Sequence, residues 1–244
     1  MKALKKKKTD VRLTPGKDYF LYSRDNEVIV STEKETKSLI GGFHTLCADA
    51  GVIPGHPLSR YMAGDILPQS LWNLRHRARC GNNNGMVYDP NTKIWVDIYL
   101  ASGIDENTVS AYDGKISNYR SFNDFISDAK KTNKRLLTRE EFISAGTGSN
   151  EMTTIKGSEL PNGTGGHIDQ LGKRMISYIG CEDMCGVVWQ WLSTPHPVHN
   201  DYIMAAGGAY WYGASGAGVW TAAWSGFRGD SLDAVGFRAA CDSV

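Results

Sequence analysis

The sequence predicts an α+β domain made of mixed small sheets, two main helices and long loops. Two helices are marked in the middle of the chain by capping residues, and strand-like segments precede and follow them. Helices grouped between runs of strands are typical of the α+β class, whereas a parallel α/β sheet requires regular alternation of the two. The final third is rich in glycine and aromatic residues, so we expect ordered loops there and not a disordered tail.

Three stretches show the two-residue period of a β-strand. Residues 11–32 alternate on either side of a short polar turn, which predicts a hairpin at the edge of a sheet. Residues 94–100 have one strongly apolar face and predict a half-buried strand. Residues 187–192 are apolar on both faces, so we expect that strand to be covered on both sides. Residues 41–79 mix glycines and prolines with apolar residues and predict loops around one short helix.

The two helices are predicted from their first turns. In residues 121–131 apolar side chains recur at helical spacing, and Ser121 is the candidate N-cap. In residues 138–144 the pair Thr138 and Glu141 has the spacing of a capping box, which satisfies free amides at the helix start. The glycines that follow are expected to end this second helix.

Length and charge indicate the organisation of the chain. The 244 residues fit one domain with long loops. We predict a disordered basic tail over residues 1–10, N-terminal strands over 11–45 that attach the protein elsewhere or cover a sheet edge, and a ligand-binding domain over 46–244.

The net charge of +1 argues against nucleic acid as a partner. No apolar run follows the basic residues, as a secretory signal requires, and none is long enough for membrane insertion.

The cysteines favour synthesis in a reducing compartment. They are odd in number and irregular in spacing: Cys47, Cys80, Cys181, Cys185 and Cys241. A secreted disulfide framework has an even number at dense spacing. We therefore expect cytoplasmic synthesis and no dependence on disulfide bridges.

The C-terminal stretch, residues 207–241, is the part of the sequence best suited to contact a partner. Tyrosine supplies large, stiff contact area at low entropic cost, and serine and glycine supply adaptable polar contacts, which is the composition of antibody paratopes. An ordinary glycine-rich end of a β domain is the alternative that composition leaves open. We interpret the bulky residues between the exchangeable ones as a buried scaffold: Trp211, Trp220, Trp224, Phe237 and Arg238.

Separated motifs in the chain resemble two related families. KRLLTREEFISAGTG (134–148), CGVVWQWL (185–192) and the terminal GG-x-x-W with VGFRAAC (235–241) resemble formylglycine-generating-enzyme-type domains, which have a variant of the C-type lectin fold. AGDILPQSLWNLRHRARC followed by GMVYDPNTKIWVDIYLASG resembles the variable target proteins of diversity-generating retroelements, which share that fold. The resemblance runs from about Ala63 to Cys241 and implies a C-type lectin fold.

The retroelement resemblance also implies a function. In that family a reverse transcriptase copies a template with errors at adenines, and the altered copy replaces the 3′ end of the target gene, so that binding specificity is diversified. The resemblance implies non-enzymatic binding of a protein or cell-surface receptor, at a phage tail in the virion or, as the alternative, on a bacterial surface. Oligomers are compatible with it. The implied ligand-binding residues are Ala209, Tyr210, Tyr212, Ala214, Ser215, Ala223, Ser225, Gly226, Asp230, Leu232, Asp233 and Ala234.

Two alternative functions of this fold lack their expected residues. An oxidase of the formylglycine-generating type holds copper with a cysteine pair near the C-terminal end, and residues 207–240 contain no cysteine. A calcium-dependent sugar-binding lectin carries a Glu-Pro-Asn, Gln-Pro-Asp or Trp-Asn-Asp motif, and none of the three occurs in this sequence. In the separate motif for a structural calcium ion, the resemblance implies Asn and Glu where this sequence has Val187 and Gln190. His196 and His199 lie in a proline-rich loop and are interpreted as solvated. We therefore expect no metal and no cofactor.

Overall fold

A computed structural model of the chain describes residues 13–77, 80–199, 202–211, 213, 216–227 and 231–243. Within this part the helices are α1 (Phe122–Lys131) and α2 (Arg139–Gly146), with single 3-10 turns at Pro68–Ser70 and Asp105–Asn107. The strands are β1 (Asp18–Arg24), β2 (Glu27–Ser31), β3 (Leu39–His44), β4 (Trp72–Asn73), β5 (Met86–Asp89), β6 (Ile94–Asp97), β7 (Ala101–Ser102), β8 (Val109–Ser110), β9 (Arg135–Leu136), β10 (Trp189–Pro195), β11 (Tyr202–Gly207), β12 (Gly218–Phe227), β13 (Val235–Gly236) and β14 (Ala239–Asp242). The predicted α+β class is confirmed. The predicted tail, residues 1–10, lies outside the described residues.

The strands form three small sheets and one two-stranded ribbon among the described residues. The sheet orders are β2-β1-β3-β4, β12-β11-β10-β13 and β5-β6-β14-β9, and β7 pairs with β8. The named strands pair antiparallel, except that β10 and β13 pair in parallel. This exception brings the segment that precedes β13 next to the start of β10, so two loops of the C-terminal stretch meet at one end of a single sheet.

The predicted N-terminal hairpin is confirmed, and β2 lies at a sheet edge. Its turn residues Asp25 and Asn26 have φ of 50° and 64°, and positive φ at both central positions is the geometry of the tight hairpin turn. The carboxylate of Asp18, at the start of β1, accepts hydrogen bonds from the Gly85 amide at 3.0 Å. The strands of residues 11–45 thus bond directly to the rest of the chain. Their role in attachment remains a prediction.

Both helices begin where their sequences predict. The Ser121 hydroxyl accepts from the Asp124 amide at 3.2 Å, and the Asp124 carboxylate accepts from the Ser121 amide at 2.9 Å. Thr138 and Glu141 make the same reciprocal pair at the start of α2. Among the described residues, no helix combines the length and apolar character needed to cross a membrane.

The strand predicted over residues 94–100 is shorter and more deeply buried than expected. Trp95 and Val96 lie on opposite faces of β6, and both are fully buried because each face packs in a separate hydrophobic cluster. One face of this strand was predicted to be exposed because Asp97 lies on it. Asp97 is nevertheless buried, and its charge is paired with the Lys134 ammonium at 2.6 Å. The half-buried prediction was wrong. The two-sided burial predicted for residues 187–192 is confirmed by Gln190, which is 1% exposed between buried apolar neighbours.

One pair of cysteines forms a bridge, although the cysteine pattern had favoured a chain made in a reducing compartment without dependence on disulfides. Cys80 and Cys241 form a disulfide that joins residues 161 positions apart. Cys47, Cys181 and Cys185 are free and buried. Irregular spacing therefore carried no information about this pair, because its two members are brought together only by the folding of the intervening chain.

Candidate ligand-binding surface

Arg238 is a buried charge that ties separate segments together beneath the C-terminal surface. Its Nη1 donates to the carbonyl oxygens of Asp97 at 2.6 Å and Ile98 at 2.5 Å, and its Nη2 donates to the carbonyl oxygen of Glu182. Its Nε donates to Oε1 of Gln190 at 3.3 Å. The planar fork of a guanidinium suits several acceptors at once. Because a buried charge is costly unless it is hydrogen-bonded, these contacts fix the loops and strands that they join.

Gln190 occupies the position at which the motif resemblance implied the acid of a calcium site. Its side-chain amide donates to the carbonyl oxygens of Asp183 at 3.2 Å and Met184 at 2.9 Å. Val187 is fully buried in an apolar cluster. Among the residues that the structure describes, no group of three or more His, Cys, Asp or Glu is arranged to hold a metal ion. The two positions therefore serve hydrogen bonding and packing.

An ion pair between the half-buried His167 and a buried carboxylate supports the loop that lies against this frame. The Asp183 carboxylate is fully buried, accepts from the Gly165 amide at 2.7 Å and lies 3.0 Å from Nδ1 of His167. Burial is the largest single effect and raises the pKa of Asp183, but the charge and hydrogen bond of His167 and the hydrogen bond from the Gly165 amide together outweigh it, and the net shift is downward. Burial is the largest single effect and lowers the pKa of His167, but the charge and hydrogen bond of Asp183 and the charge of Glu182 together outweigh it, and the net shift is upward. Both shifts favour the charged forms of the two side chains.

The candidate surface itself is an aromatic patch, formed by Tyr119, Tyr210, Trp211, Leu232 and Asp233. The rings of Tyr210 and Trp211 meet edge to face with centroids 4.7 Å apart. Desolvation raises the pKa of Tyr210, and the nearby Asp233 and Tyr119 raise it further. Tyr119 is 66% exposed, Trp211 50% and Leu232 44%. The patch therefore presents aromatic, aliphatic and anionic groups to solvent side by side.

The backbone under the aromatic patch is hydrogen-bonded to the start of β10 and to the preceding loop. The Tyr210 amide donates to the Val187 carbonyl at 2.9 Å, and the Trp189 amide donates to the Ala234 carbonyl at 2.8 Å. The Asn118 side chain donates to the Asp233 carbonyl at 2.8 Å. These bonds hold two loops, residues 209–211 and 231–234, against the strand that carries Gln190.

The edge strand β12 extends the surface away from the aromatic patch. The Val219 amide donates to Oε1 of Glu151 at 2.9 Å, and Arg139 donates to the carbonyl oxygens of Val219 and Trp220, each at 2.8 Å. Side chains thus satisfy backbone groups near the start of this edge strand, where unpaired groups would be open to pairing with another chain. Trp224, further along β12, is half-buried and packs edge to face on His196 with centroids 4.6 Å apart.

The structure brings together three of the predicted ligand-binding residues, Tyr210, Leu232 and Asp233. Ala223 is half-buried on β12. Ala209 and Ala234 are 0% and 1% exposed, so their assignment to ligand contact is corrected: both side chains point into the interior beneath the patch. Ser225 and Gly226 belong to the backbone of β12. The remaining predicted positions lie outside the described residues: Tyr212, Ala214, Ser215 and Asp230.

The predicted scaffold is also divided. Phe237 and Arg238 are buried, and Phe237 packs on Phe125 of α1 with ring centroids 4.8 Å apart. Trp211 and Trp220 are 50% and 71% exposed, so the expectation that they lie in the core was wrong. One follows the end of β11 and the other lies on an edge strand, and residue type alone does not distinguish such positions from buried ones. Sequence reasoning missed Tyr119, which no motif marks and which a backbone hydrogen bond to Leu232 brings to the patch.

The fold and the loops at one end of its C-terminal sheet define a protein of the C-type lectin fold, as the motifs predicted. Among solved structures the chain is similar to the Major Tropism Determinant U1 variant, with a TM-score of 0.76 and 22% identity. The M1 variant gives 0.77 and 23%, and the I1 variant 0.78 and 21%. Each alignment covers 94% of this chain and 73% of the other. No family model and no curated protein sequence matches the chain.

Removing Arg238 should destabilise the fold. Arg238→Ala leaves several buried carbonyl groups without a donor and opens a cavity, so the free energy of unfolding should fall by about 3 kcal/mol. Urea unfolding followed by tryptophan fluorescence measures this. Arg75→Ala, at an exposed arginine, is the matched control and should change the free energy by less than about 0.5 kcal/mol. Equal effects of the two substitutions would contradict the role assigned to Arg238.

The ion pair of His167 and Asp183 should make stability depend on pH. Because the pKa of His167 is raised in the folded state, its contribution is complete below the unfolded value of about 6.5 and is lost as the pH rises through the folded value. His167→Gln should therefore lower the free energy of unfolding more at about pH 6 than at about pH 8.5. Urea titrations at the two pH values test this, with the exposed His76→Gln as control. An equal loss at both values would show that the pair contributes no such dependence.

Proposed function

We propose that this protein recognises a protein or cell-surface receptor through the aromatic patch and the adjoining loops of residues 207–241. The observation that carries the proposal is the exposure of Tyr119, Trp211 and Leu232 on backbone that is hydrogen-bonded to a buried frame. Tyrosine and tryptophan are enriched among the residues that dominate binding energy in protein interfaces. A rigid backbone reduces the entropy lost when the partner binds.

The retroelement resemblance supports the further proposal that the side chains of this surface vary between versions of the protein. Tyr210, Leu232 and Asp233 are partly exposed, and their backbone is held by hydrogen bonds that do not depend on side-chain identity. Substitution at such positions changes the contact surface with little effect on the fold. The four predicted positions outside the described residues belong to the same proposal. The similar solved proteins are named as tropism determinants and occur as several variants, which accords with variable recognition.

Binding, and not catalysis, is the function proposed. Burial raises the pKa of the Cys181 thiol to about 12 and raises that of Cys185 well above its ordinary value. A thiol in such a site is protonated and unreactive, whereas copper binding and redox chemistry use the thiolate. The setting we propose is a virion, at the tail of a phage, with display on a bacterial surface as the alternative. Synthesis would take place in the cytoplasm.

A charge placed on the aromatic patch should weaken receptor binding selectively. Leu232→Asp puts an anion where Leu232 presents apolar surface beside Asp233, so binding of the labelled protein to intact host cells should weaken about tenfold. The melting temperature should be unchanged because the side chain is exposed. Leu74→Asp, at an exposed leucine after β4, is the matched control and should bind normally. Unaltered cell binding by Leu232→Asp would exclude the patch from recognition.

A further inference from the structure

The outer edge strand of the N-terminal sheet, β2, presents apolar side chains to solvent. It pairs with β1 on one side, and within the described part of the chain no strand pairs with its other side. Val28, Ile29 and Val30, at its centre, are 47%, 39% and 48% exposed. Natural proteins protect edge strands with lysine, proline or a bulge. β2 contains neither residue, and no bulge interrupts its register with β1. The strand is therefore open to pairing with another strand.

The backbone hydrogen-bonding groups of Val28 and Val30 point away from β1. Residues that face each other in an antiparallel pair alternate between those that exchange hydrogen bonds and those that do not. Ser23 faces Val28, and its amide donates to the Ser38 carbonyl at 3.0 Å, on the side of β1 that is away from β2. Ser23 and Val28 therefore exchange no hydrogen bonds, and the same holds two residues along for Leu21 and Val30. The N–H and C=O groups of both valines face the open edge.

Both faces of β2 carry apolar side chains that a further strand would cover. Ile29 lies opposite Tyr22, which is buried in a hydrophobic cluster, so Ile29 extends that buried face beyond the last strand of the sheet. Val28 and Val30 lie on the other face, where Val30 is opposite the half-buried Leu21. Covering these side chains removes apolar surface from water on both faces at once.

The chemistry of β2 is complementary to a second copy of the same strand. In an antiparallel pairing centred on Ile29, the middle residue, the open groups of Val28 meet those of Val30 of the second copy, and the two can exchange hydrogen bonds. Ile29 then faces its own counterpart. Glu27 faces Ser31, whose hydroxyl can donate to the carboxylate. All five residues of β2 are paired in this register, and no like charges face each other.

We propose that β2 pairs antiparallel with β2 of a second copy, about a twofold axis at Ile29, to form a dimer with one continuous sheet. Because both copies use the same edge, the pairing leaves none of it free and the assembly closes at two chains. The opposite edge of the sheet is β4, which is two residues long. One strand per copy makes an interface well below ~1,200 Å², so we expect a weak dimer with a Kd of about 10 to 100 μM.

The mass of the full chain in solution tests the dimer. Sedimentation velocity from about 1 to 500 μM should show reversible conversion of the 26.8 kDa monomer to a species of twice that mass. A single monomeric species throughout this range would overturn the inference, and so would assembly that continues beyond two chains. Neither outcome bears on receptor binding by the aromatic patch, which the comparison of Leu232→Asp with Leu74→Asp tests separately.

A charge at the twofold axis should weaken the dimer. Ile29→Lys removes an apolar contact and places two ammonium groups opposite each other, so the dimer Kd should rise about tenfold or more. The melting temperature of the monomer should be nearly unchanged, because the side chain is exposed. Ile104→Lys, at an isoleucine that is 54% exposed outside this sheet, is the matched control and should leave the Kd unchanged. A dimer that tolerates Ile29→Lys as well as Ile104→Lys would contradict the proposed axis.

Cross-linking tests the register. Facing residues that exchange no hydrogen bonds have Cα atoms about 4.5 Å apart, which is within the span of a disulfide. Ile29→Cys should therefore join two copies covalently under mild oxidation, with a doubled mass on a non-reducing gel. Val28→Cys is the matched control, because its counterpart lies diagonally across at about 7 to 8 Å, too far for a disulfide. The chain's own free cysteines are buried. Equal cross-linking of the two variants would refute the register.

Discussion

The guanidinium of Arg238 places a positive charge in the protein interior, and the geometry of the C-terminal surface depends on how that charge is satisfied. It donates to carbonyl oxygens of Asp97, Ile98 and Glu182 and to the side chain of Gln190. Separating these segments would leave buried donors and acceptors unpaired, which costs more than a hydrogen bond gains. The loops that carry the aromatic patch are hydrogen-bonded to the start of β10, the strand that contains Gln190. The position of these loops therefore depends on the position of that strand.

Sequence reasoning predicted the features whose causes are local. The capping pair Thr138 and Glu141 lies within one helical turn, and the turn of the N-terminal hairpin depends on adjacent residues. The burial of β6 was mispredicted because alternation reports the polarity of Asp97 and not its partner, and Lys134 lies 37 residues further along the chain. The disulfide partner of Cys80 is likewise distant in sequence. Pairings of this kind arise only when separate segments pack together.

The candidate site shows the same difference between features with local causes and features that depend on distant segments. Composition and family resemblance selected residues 207–241, and Tyr210, Leu232 and Asp233 do lie on one surface. Alternation of large and small residues did not reveal which side chains point outward. Ala209 is buried because its segment runs directly over the start of β10, where Val187 forms a bridge with it. Tyr119, an exposed tyrosine of the patch, comes from a loop outside the C-terminal stretch. No local sequence pattern predicts such a contribution.

The two exposed tryptophans, Trp211 and Trp220, lie in different regions of the C-terminal stretch. A large apolar side chain in water is unfavourable for a protein that has no partner, and contiguous exposed apolar area marks sites of interaction. Trp211 belongs to the aromatic patch, whose other side chains come partly from the exchangeable set, whereas Trp220 lies on the edge strand β12, where Arg139 donates to its carbonyl oxygen. If both tryptophans contact one receptor, side chains of the patch can vary while the contact made by Trp220 is kept. Such an arrangement retains a minimum affinity through each change of specificity, because only part of the binding energy depends on the residues that change.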